Sequence, residues 1–297
     1  MASALSLSKQ LAASIDPSHY MESLGWYSFE WQREVLRPGT SRLILNCARQ
    51  SGKSTVIAAK VAHRAKFFPG SLIMLFAPSE SQSEELMEKI GTFIAQDPEI
   101  VLVRDSSVTK KLLNGSRIKA FTASPRSARG YSDPDIIVFD EAAHVDRELY
   151  LTVRPMMTGG KTDLILLSTP YGKDGFFYDI WTRDTDIWLK VEVQPMWILH
   201  KVLPGKYPPR DDNKYIADRA EKGIKAYIST RHTEEFLLEE YEEMDEYWYK
   251  QEYGCEFMDP QANVFNIDSF MQCFTDSVAP MEDYRIDTVD EEALWSG

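Results

Sequence analysis

Residues 42–55 read RLILNCARQSGKST, an apolar run that passes directly into a short polar stretch holding one glycine, a lysine and two serines. Phosphate-binding loops follow G-x-x-x-x-G-K-[ST], with the loop emerging from a strand and opening a helix. The alignment puts Cys47 at the first glycine, Gly52 at the second, Lys53 at the lysine and Ser54 at the hydroxyl position. Cys47 is the single departure. It asks for a loop whose first residue keeps a conformation that a side chain tolerates. In such a loop the backbone N–H groups of Gln50, Ser51, Gly52, Lys53, Ser54 and Thr55 turn inward around phosphate oxygens, and the dipole of the following helix adds to the attraction.

The flanking pattern supplies that context. KSTVIAAKVAHRAKFF reads as a helix closed by Pro69-Gly70, SLIMLFAP as a buried strand, and SESQSEELMEKIGTFIAQ as a second helix with a capping serine. KLLNGSRIKAFTA reads as a hairpin turning at Asn114-Gly115. DIIVFDEA and DLILLSTP are two further short strands ending in polar residues. Continuous apolar strands alternating with helices predict an α/β fold with a mainly parallel sheet covered on both faces. The composition changes around VLPGKYPPRDDNKY, and from there to about Phe257 the chain reads as helical and acidic. The expected organisation is a core over 1–204, a small helical lid over 205–259, and a linker with an acidic tail over 260–297.

A second chemical element stands at the end of the strand DIIVF. Asp140 suits a magnesium ion carried by a nucleotide, and Glu141 beside it suits the orientation and deprotonation of an attacking water. Two adjacent carboxylates on a fully apolar strand have no inexpensive structural explanation, because burying charge without a counter-ion is costly. Ser54 is the second expected magnesium ligand, through its hydroxyl. Arg49, inside the loop, and Arg126 and Arg129, in SPRSARG, are candidates to meet negative charge in the transition state. Ser168, Thr169 and Pro170 end the next strand, where hydroxyls can sense hydrolysis, although a strand-ending turn has the same composition. Upstream, FEWQREVLR offers Gln32 as a two-way amide for adenine and Trp31 as a stacking surface. An amphipathic core helix accounts for the tryptophan equally well.

Composition narrows the field. A net charge of −13 argues against a surface that coats nucleic acid all round, while leaving room for local basic patches at HRAKFF, Lys110-Lys111, NGSRIKAF and SPRSARG. No stretch approaches the length of a membrane span, and the N-terminus lacks a continuous signal-peptide core, so a cytoplasmic location is expected. Three scattered cysteines and five histidines give neither a disulfide framework nor zinc spacing.

Taken together, WQ near the start, ARQSGKS, APSESQSEEL, ARGYSDPDIIVFDEAAHV, LSTPYGKDGFFY and YWYKQEYGCEFMDPQANVF resemble the ATPase half of a tailed-phage large terminase, from about Trp31 to Phe265. That resemblance implies a P-loop NTPase fold of the ASCE, RecA-like type, using ATP and Mg²⁺ to drive double-stranded DNA into a procapsid. It implies Gln32 as the adenine contact, Arg49, Gly52, Lys53 and Ser54 as phosphate ligands, and Asp140 and Glu141 as the magnesium and catalytic carboxylates. Ser168, Thr169 and Pro170 become the coupling motif, and Arg129 the arginine offered to a neighbouring subunit. The implied partners are the portal and procapsid, a small terminase subunit and further copies in a homo-oligomeric, pentameric ring. The implied setting is the cytoplasm of an infected bacterium rather than the mature virion. Family members continue into a nuclease domain. The acids near the end here, Asp287, Asp290, Glu291 and Glu292, have no strand pattern to hold two metals, so no nuclease activity is expected of this chain.

Two other readings are compatible with the loop and the paired acids. A DEAD/DEAH-like helicase would place histidine third after the aspartate, whereas DEAAH places His144 fourth. A nucleotide-controlled binding module would bind ATP without productive hydrolysis, which the Asp140-Glu141 pair argues against.

Overall fold

The computed structural model describes residues 7–122 and 130–259. Among them nine strands form one sheet in the order β3-β4-β5-β2-β6-β7-β1-β8-β9. In chain order these are β1 Arg42–Cys47, β2 Leu72–Ala77, β3 Leu102–Ser106, β4 Thr109–Leu112, β5 Arg117–Thr122, β6 Ile136–Asp140, β7 Asp163–Ser168, β8 Leu189–Gln194 and β9 Ile224–Ile228. Pairing is antiparallel only within β3-β4-β5; from β5 across to β9 every neighbour is parallel.

Parallel central strands are covered on both sides, which is why β1, β2, β6 and β7 are apolar almost without interruption. Leu43, Leu45, Leu75, Val138 and Leu167 face one layer of helices. That layer is α1 (Leu7–Ile15), α2 (Pro17–Ser23), α3 (Glu30–Leu36), α4 (Lys53–Phe67) and α5 (Glu80–Gln96). Ile44, Met74, Phe76, Phe139 and Leu166 face the other layer, built on α6 (Arg147–Val153) and α7 (Gly175–Thr182). The alternation along each strand follows from the two-residue period of the pleat.

A third cluster holds Ala48, Ile198, Leu199, Leu237, Tyr249, Tyr253 and Cys255. It packs α8 (Leu199–Val202), α10 (Glu234–Glu243) and α11 (Glu246–Glu252) around the residue that follows β1. Thr233 caps α10 through the Phe236 N–H at 3.2 Å, and Asp245 caps α11 through the Trp248 N–H at 3.0 Å.

The stretch 205–259, read from sequence as helical, differs in one respect. Besides α9 (Asp212–Ala220), α10 and α11 it supplies β9, which extends the main sheet beside β8. The described residues up to Met258 cluster as one unit; the second unit, Asp259–Gly297, lies outside the described residues apart from Asp259. β8 was not legible either. Its sequence LKVEVQ alternates polar residues, yet Lys190, Glu192 and Gln194 are all buried. Their partners come from elsewhere: Tyr215 and Arg219 of α9 donate to Glu192, and Lys190 Nζ caps the carbonyls of Trp181 and Arg183 at 2.8 and 2.6 Å. No helix among the described residues is long and apolar enough to cross a membrane.

Candidate nucleotide site

Because β6, β7 and β1 are parallel neighbours, their C-terminal ends share one rim of the sheet. The rim therefore collects the loop after β1, the Asp140-Glu141 pair after β6 and the Ser168-Thr169 pair after β7. Cys47 is buried as the last residue of β1, in strand geometry that needs no glycine. The left-handed conformations of the loop fall instead on Gln50 (φ 54°) and Gly52 (φ 95°). Gly52 is the N-cap of α4, and the Val56 N–H makes the first helical bond to its carbonyl at 3.2 Å. By helix geometry the N–H groups of Lys53, Ser54 and Thr55 precede that bond and are offered to a ligand, at the positive end of a 15-residue dipole.

The loop is moored on its far side. The Ala48 N–H donates to the Val193 carbonyl at 2.9 Å and the Arg49 N–H to the Glu252 carbonyl at 2.9 Å. Arg49 Nε also meets Glu252 Oε2 at 2.8 Å.

The charged centre is tightly connected. Lys53 Nζ lies 3.0 Å from Glu141 Oε1 and 3.4 Å from Thr169 Oγ1. The Ser168 hydroxyl donates to Glu141 Oε2 at 3.2 Å and accepts the Ala143 N–H at 3.3 Å. Ser54 Oγ stands 3.4 Å from Asp140 Oδ2, and Asp140 Oδ1 accepts the Glu141 N–H at 3.0 Å. Glu141 itself is left-handed (φ 47°, ψ 47°), a strained state for a glutamate that fits a functional position. Burial, reinforced by the Glu141 charge, pushes Asp140 up to about 6. Burial works against the Lys53 ammonium, but Glu141 and Asp140 hold its pKa above the ordinary lysine value.

Magnesium suits this donor set. Octahedral ligands at about 2.1 Å place neighbouring oxygens roughly 3 Å apart, close to the Ser54–Asp140 separation, and nucleotide-borne Mg²⁺ takes only one or two protein ligands. Among the described residues no cluster of three or more His, Cys, Asp or Glu is placed to hold a metal by itself.

A cleft of about 470 Å³ opens over the loop and the two acids. Sequence reasoning missed part of its wall. Gln82, Glu85 and Lys89 face it from α5, a polar stripe at helical spacing that was visible, and Arg231 faces it from the loop after β9, for which no motif gave a signal. A larger depression of about 1090 Å³ lies at the opposite ends of β1, β8 and β9, lined by residues such as Arg42, Lys190 and Arg219, and includes neither residues 50–55 nor the Asp140-Glu141 pair.

The remaining expected site residues are placed as follows. Trp31 is 3% exposed in the core beneath α4, so it offers no stacking face to a base. Gln32 is also buried; its Oε1 accepts the Phe29 N–H at 3.1 Å as part of an N-terminal cap of α3, and its Nε2 points toward Gly52. Ser51 and Pro170 are buried, Ser51 inside the loop and Pro170 just past Thr169. Arg126 and Arg129 lie outside the described residues. Three basic-patch residues prove to be paired: Arg64 with Asp135 at 2.5 Å, Lys66 with Asp97 and Glu99, both at 2.7 Å, and Lys110 with Asp105. Cys47 and Cys255 are free, buried thiols.

A glycine loop opening a helix after β1, facing paired acids after β6 across one rim, is the arrangement of ASCE-type P-loop ATPases. The chain belongs to a terminase family: the profile described as terminase large subunit, T4likevirus-type, N-terminal, matches residues 44–272. The fold is similar to that of the large terminase ATPase domain of Thermus phage P74-26 (TM-score 0.59, 20% identity, covering 82% of this chain and 99% of that one). It is also similar to the large terminase of another thermophilic bacteriophage, solved in complex with ADP (0.54, 11%, 77% and 53%), and to that of bacteriophage HK97 (0.53, 15%, 76% and 50%). The chain spans about half the length of these last two.

Proposed function

We propose that this chain hydrolyses ATP and uses the energy to translocate double-stranded DNA into a viral procapsid. The observation that carries the reading is the convergence of Lys53, Ser54, Asp140, Glu141 and Ser168 at one rim of the sheet. ATP would lie along the loop, its phosphates received by the N–H groups at the start of α4 and by the Lys53 ammonium. Ser54 and Asp140 would hold Mg²⁺, whose charge neutralises that developing on the transferred phosphoryl group.

Glu141 is the general base in this account. Its Oε1 is engaged by the Lys53 ammonium at 3.0 Å. A triphosphate competes for the ammonium, and the released Glu141, still oriented by Ser168, takes a proton from the attacking water. Loss of the γ-phosphate would return Lys53 to Glu141 and alter the load on Ser168 and Thr169, which is how the coupling role would reach the rest of the subunit. Arg49, once free of Glu252, and Arg129 from a neighbouring subunit are the cations assigned to the transition state.

The solved ADP complex of the thermophilic phage's large terminase supports a nucleotide as ligand. The wider assignment rests on the family: a homo-oligomeric ring on the portal of a procapsid, a small terminase subunit as partner, and action in the cytoplasm of an infected bacterium. The test is ATP hydrolysis with and without double-stranded DNA, paired with displacement of a triplex-forming oligonucleotide from that DNA. DNA-stimulated hydrolysis with triplex displacement and no strand separation is expected. Strand separation would favour a helicase, and tight ATP binding without phosphate release a binding module.

A further inference from the structure

Arg231 reaches the nucleotide cleft from a segment that carries no nucleotide motif. Its Nη1 lies 2.8 Å from where a Cβ on Gly52 would stand, so the guanidinium rests against the glycine that opens α4. The other cations of the cleft are engaged: Arg49 by Glu252, Lys53 by Glu141 and Lys89 by Glu85, at 2.8, 3.0 and 2.6 Å. Arg231 alone among these four has no carboxylate within ion-pair distance among the described residues.

The loop that delivers it is fixed at several points. The Ser229 N–H donates to the Gln194 carbonyl at 2.6 Å, the Ser229 hydroxyl accepts the Arg231 N–H at 3.2 Å, and Thr233 caps α10. His232 is 5% exposed and wedged against Phe236 and Tyr253, with ring centroids at 5.6 and 5.8 Å. With its neighbour turned into the core, Arg231 is turned out over the phosphate loop.

We propose that Arg231 is a ligand of the nucleotide's phosphate chain, and this rests on the nucleotide-site reading given above. The chemistry around Gly52 favours phosphate over base. Gln32 Oε1 is occupied by the Phe29 N–H, so the group that Gln32 directs to within 3.4 Å of the same point is its Nε2 donor. Guanidinium, amide donor and the helix N–H groups thus converge with no acceptor among them. An anion with several oxygens satisfies that set, and a guanidinium binds phosphate bidentately. A base edge, which alternates donors and acceptors, would leave some of these donors unmet. Because β9 pairs with β8 and the loop leads into α10, this contact would tie nucleotide occupancy to the edge of the sheet and to the acidic helices beyond it.

The experiment compares wild type, Arg231→Ala, Arg231→Lys and Lys53→Ala for binding of MgADP and of inorganic triphosphate, each by competition with a fluorescent ADP analogue. The expected result for Arg231→Ala is a loss of roughly 10- to 100-fold for both probes. Arg231→Lys should recover part of it, and the Ala variant should show a shallower dependence of affinity on salt. Melting temperatures without nucleotide should match wild type, since the side chain is exposed. Unchanged affinities in Arg231→Ala overturn the proposal, and so does a loss confined to MgADP, which would make the arginine a base or ribose contact. If wild type itself binds neither probe, or Lys53→Ala binds as wild type does, the nucleotide-site reading fails first and the proposal with it.

Discussion

Lys53 and Glu141 form an ion pair at 3.0 Å, and the same carboxylate accepts a hydrogen bond from Ser168 at 3.2 Å. The residue expected to bind the triphosphate thus occupies the residue expected to activate water. Under the proposed function, a triphosphate that draws Lys53 away would free Glu141 while Ser168 keeps it oriented.

Glu141→Gln should lower ATP turnover by about 10²- to 10⁴-fold, the usual worth of a general base, while nucleotide binding is kept. It should bind ATP somewhat more tightly than wild type, because an amide holds Lys53 less strongly than a carboxylate does. Single-turnover phosphate release and equilibrium binding on the same preparation check both halves.

Ser168→Ala removes the hydroxyl that orients Glu141 and leaves the Ala143 N–H without its acceptor. The expected outcome is a fall in kcat with little change in KM, and a stability loss of about 1–2 kcal/mol. Ser168→Thr should keep more activity than Ala. Equal losses in kcat and KM would point to a general disturbance of the site instead.

The Glu192–Arg219 pair lies away from the acids and tests the packing of α9 on β8. Glu192 is 1% exposed and burial raises its pKa. Arg219→Met leaves that carboxylate without its cation, and urea unfolding should show a loss of about 3–5 kcal/mol. Adding Glu192→Met should return part of that loss, since a buried pair often stabilises no more than apolar replacements do.

His63 gives the chain a pH-sensitive joint between α4 and the N-terminal helices. It is 4% exposed, its Nε2 bonds the Ala13 carbonyl at 3.1 Å, and burial pushes its pKa down to about 4. The folded value lies below the unfolded value of about 6.5, so the unfolded chain binds the proton first as pH falls. The stabilisation is complete above about pH 6.5 and is lost as pH falls toward 4. By pH 5 this one group should remove about 2 kcal/mol. The difference in urea stability between pH 7 and pH 5 should therefore shrink by about that amount in His63→Gln, which keeps a donor for Ala13.

The centre of the site was legible because its chemistry is written in contiguous residues. Gly52-Lys53-Ser54 and Asp140-Glu141 each sit at the end of an apolar strand, and a parallel sheet brings such ends to one rim without further information. Trp31 was misleading because a tryptophan beside a glutamine has the same spacing in a core helix as in a base-binding one. β8 was hidden because the partners that let Glu192 and Gln194 be buried are more than 15 residues away, on α9 and in the neighbouring loops. Arg64 and Lys66 looked like a basic surface because their acids, Asp135, Asp97 and Glu99, lie more than 30 residues away, whereas the partner of Lys110, Asp105, faces it across the β3-β4 hairpin. Arg231 gave no signal, since its place over Gly52 depends on a strand that itself escaped notice.

The most direct measurement is a crystal structure of the chain soaked with a non-hydrolysable ATP analogue and Mn²⁺ in place of Mg²⁺, located by its anomalous signal. The account predicts the phosphates along residues 50–55, the metal between Ser54 and Asp140, and Lys53 drawn from Glu141 to the phosphates. Nucleotide density in the larger depression at the far ends of β1, β8 and β9, with the Lys53–Glu141 pair unchanged, would contradict it.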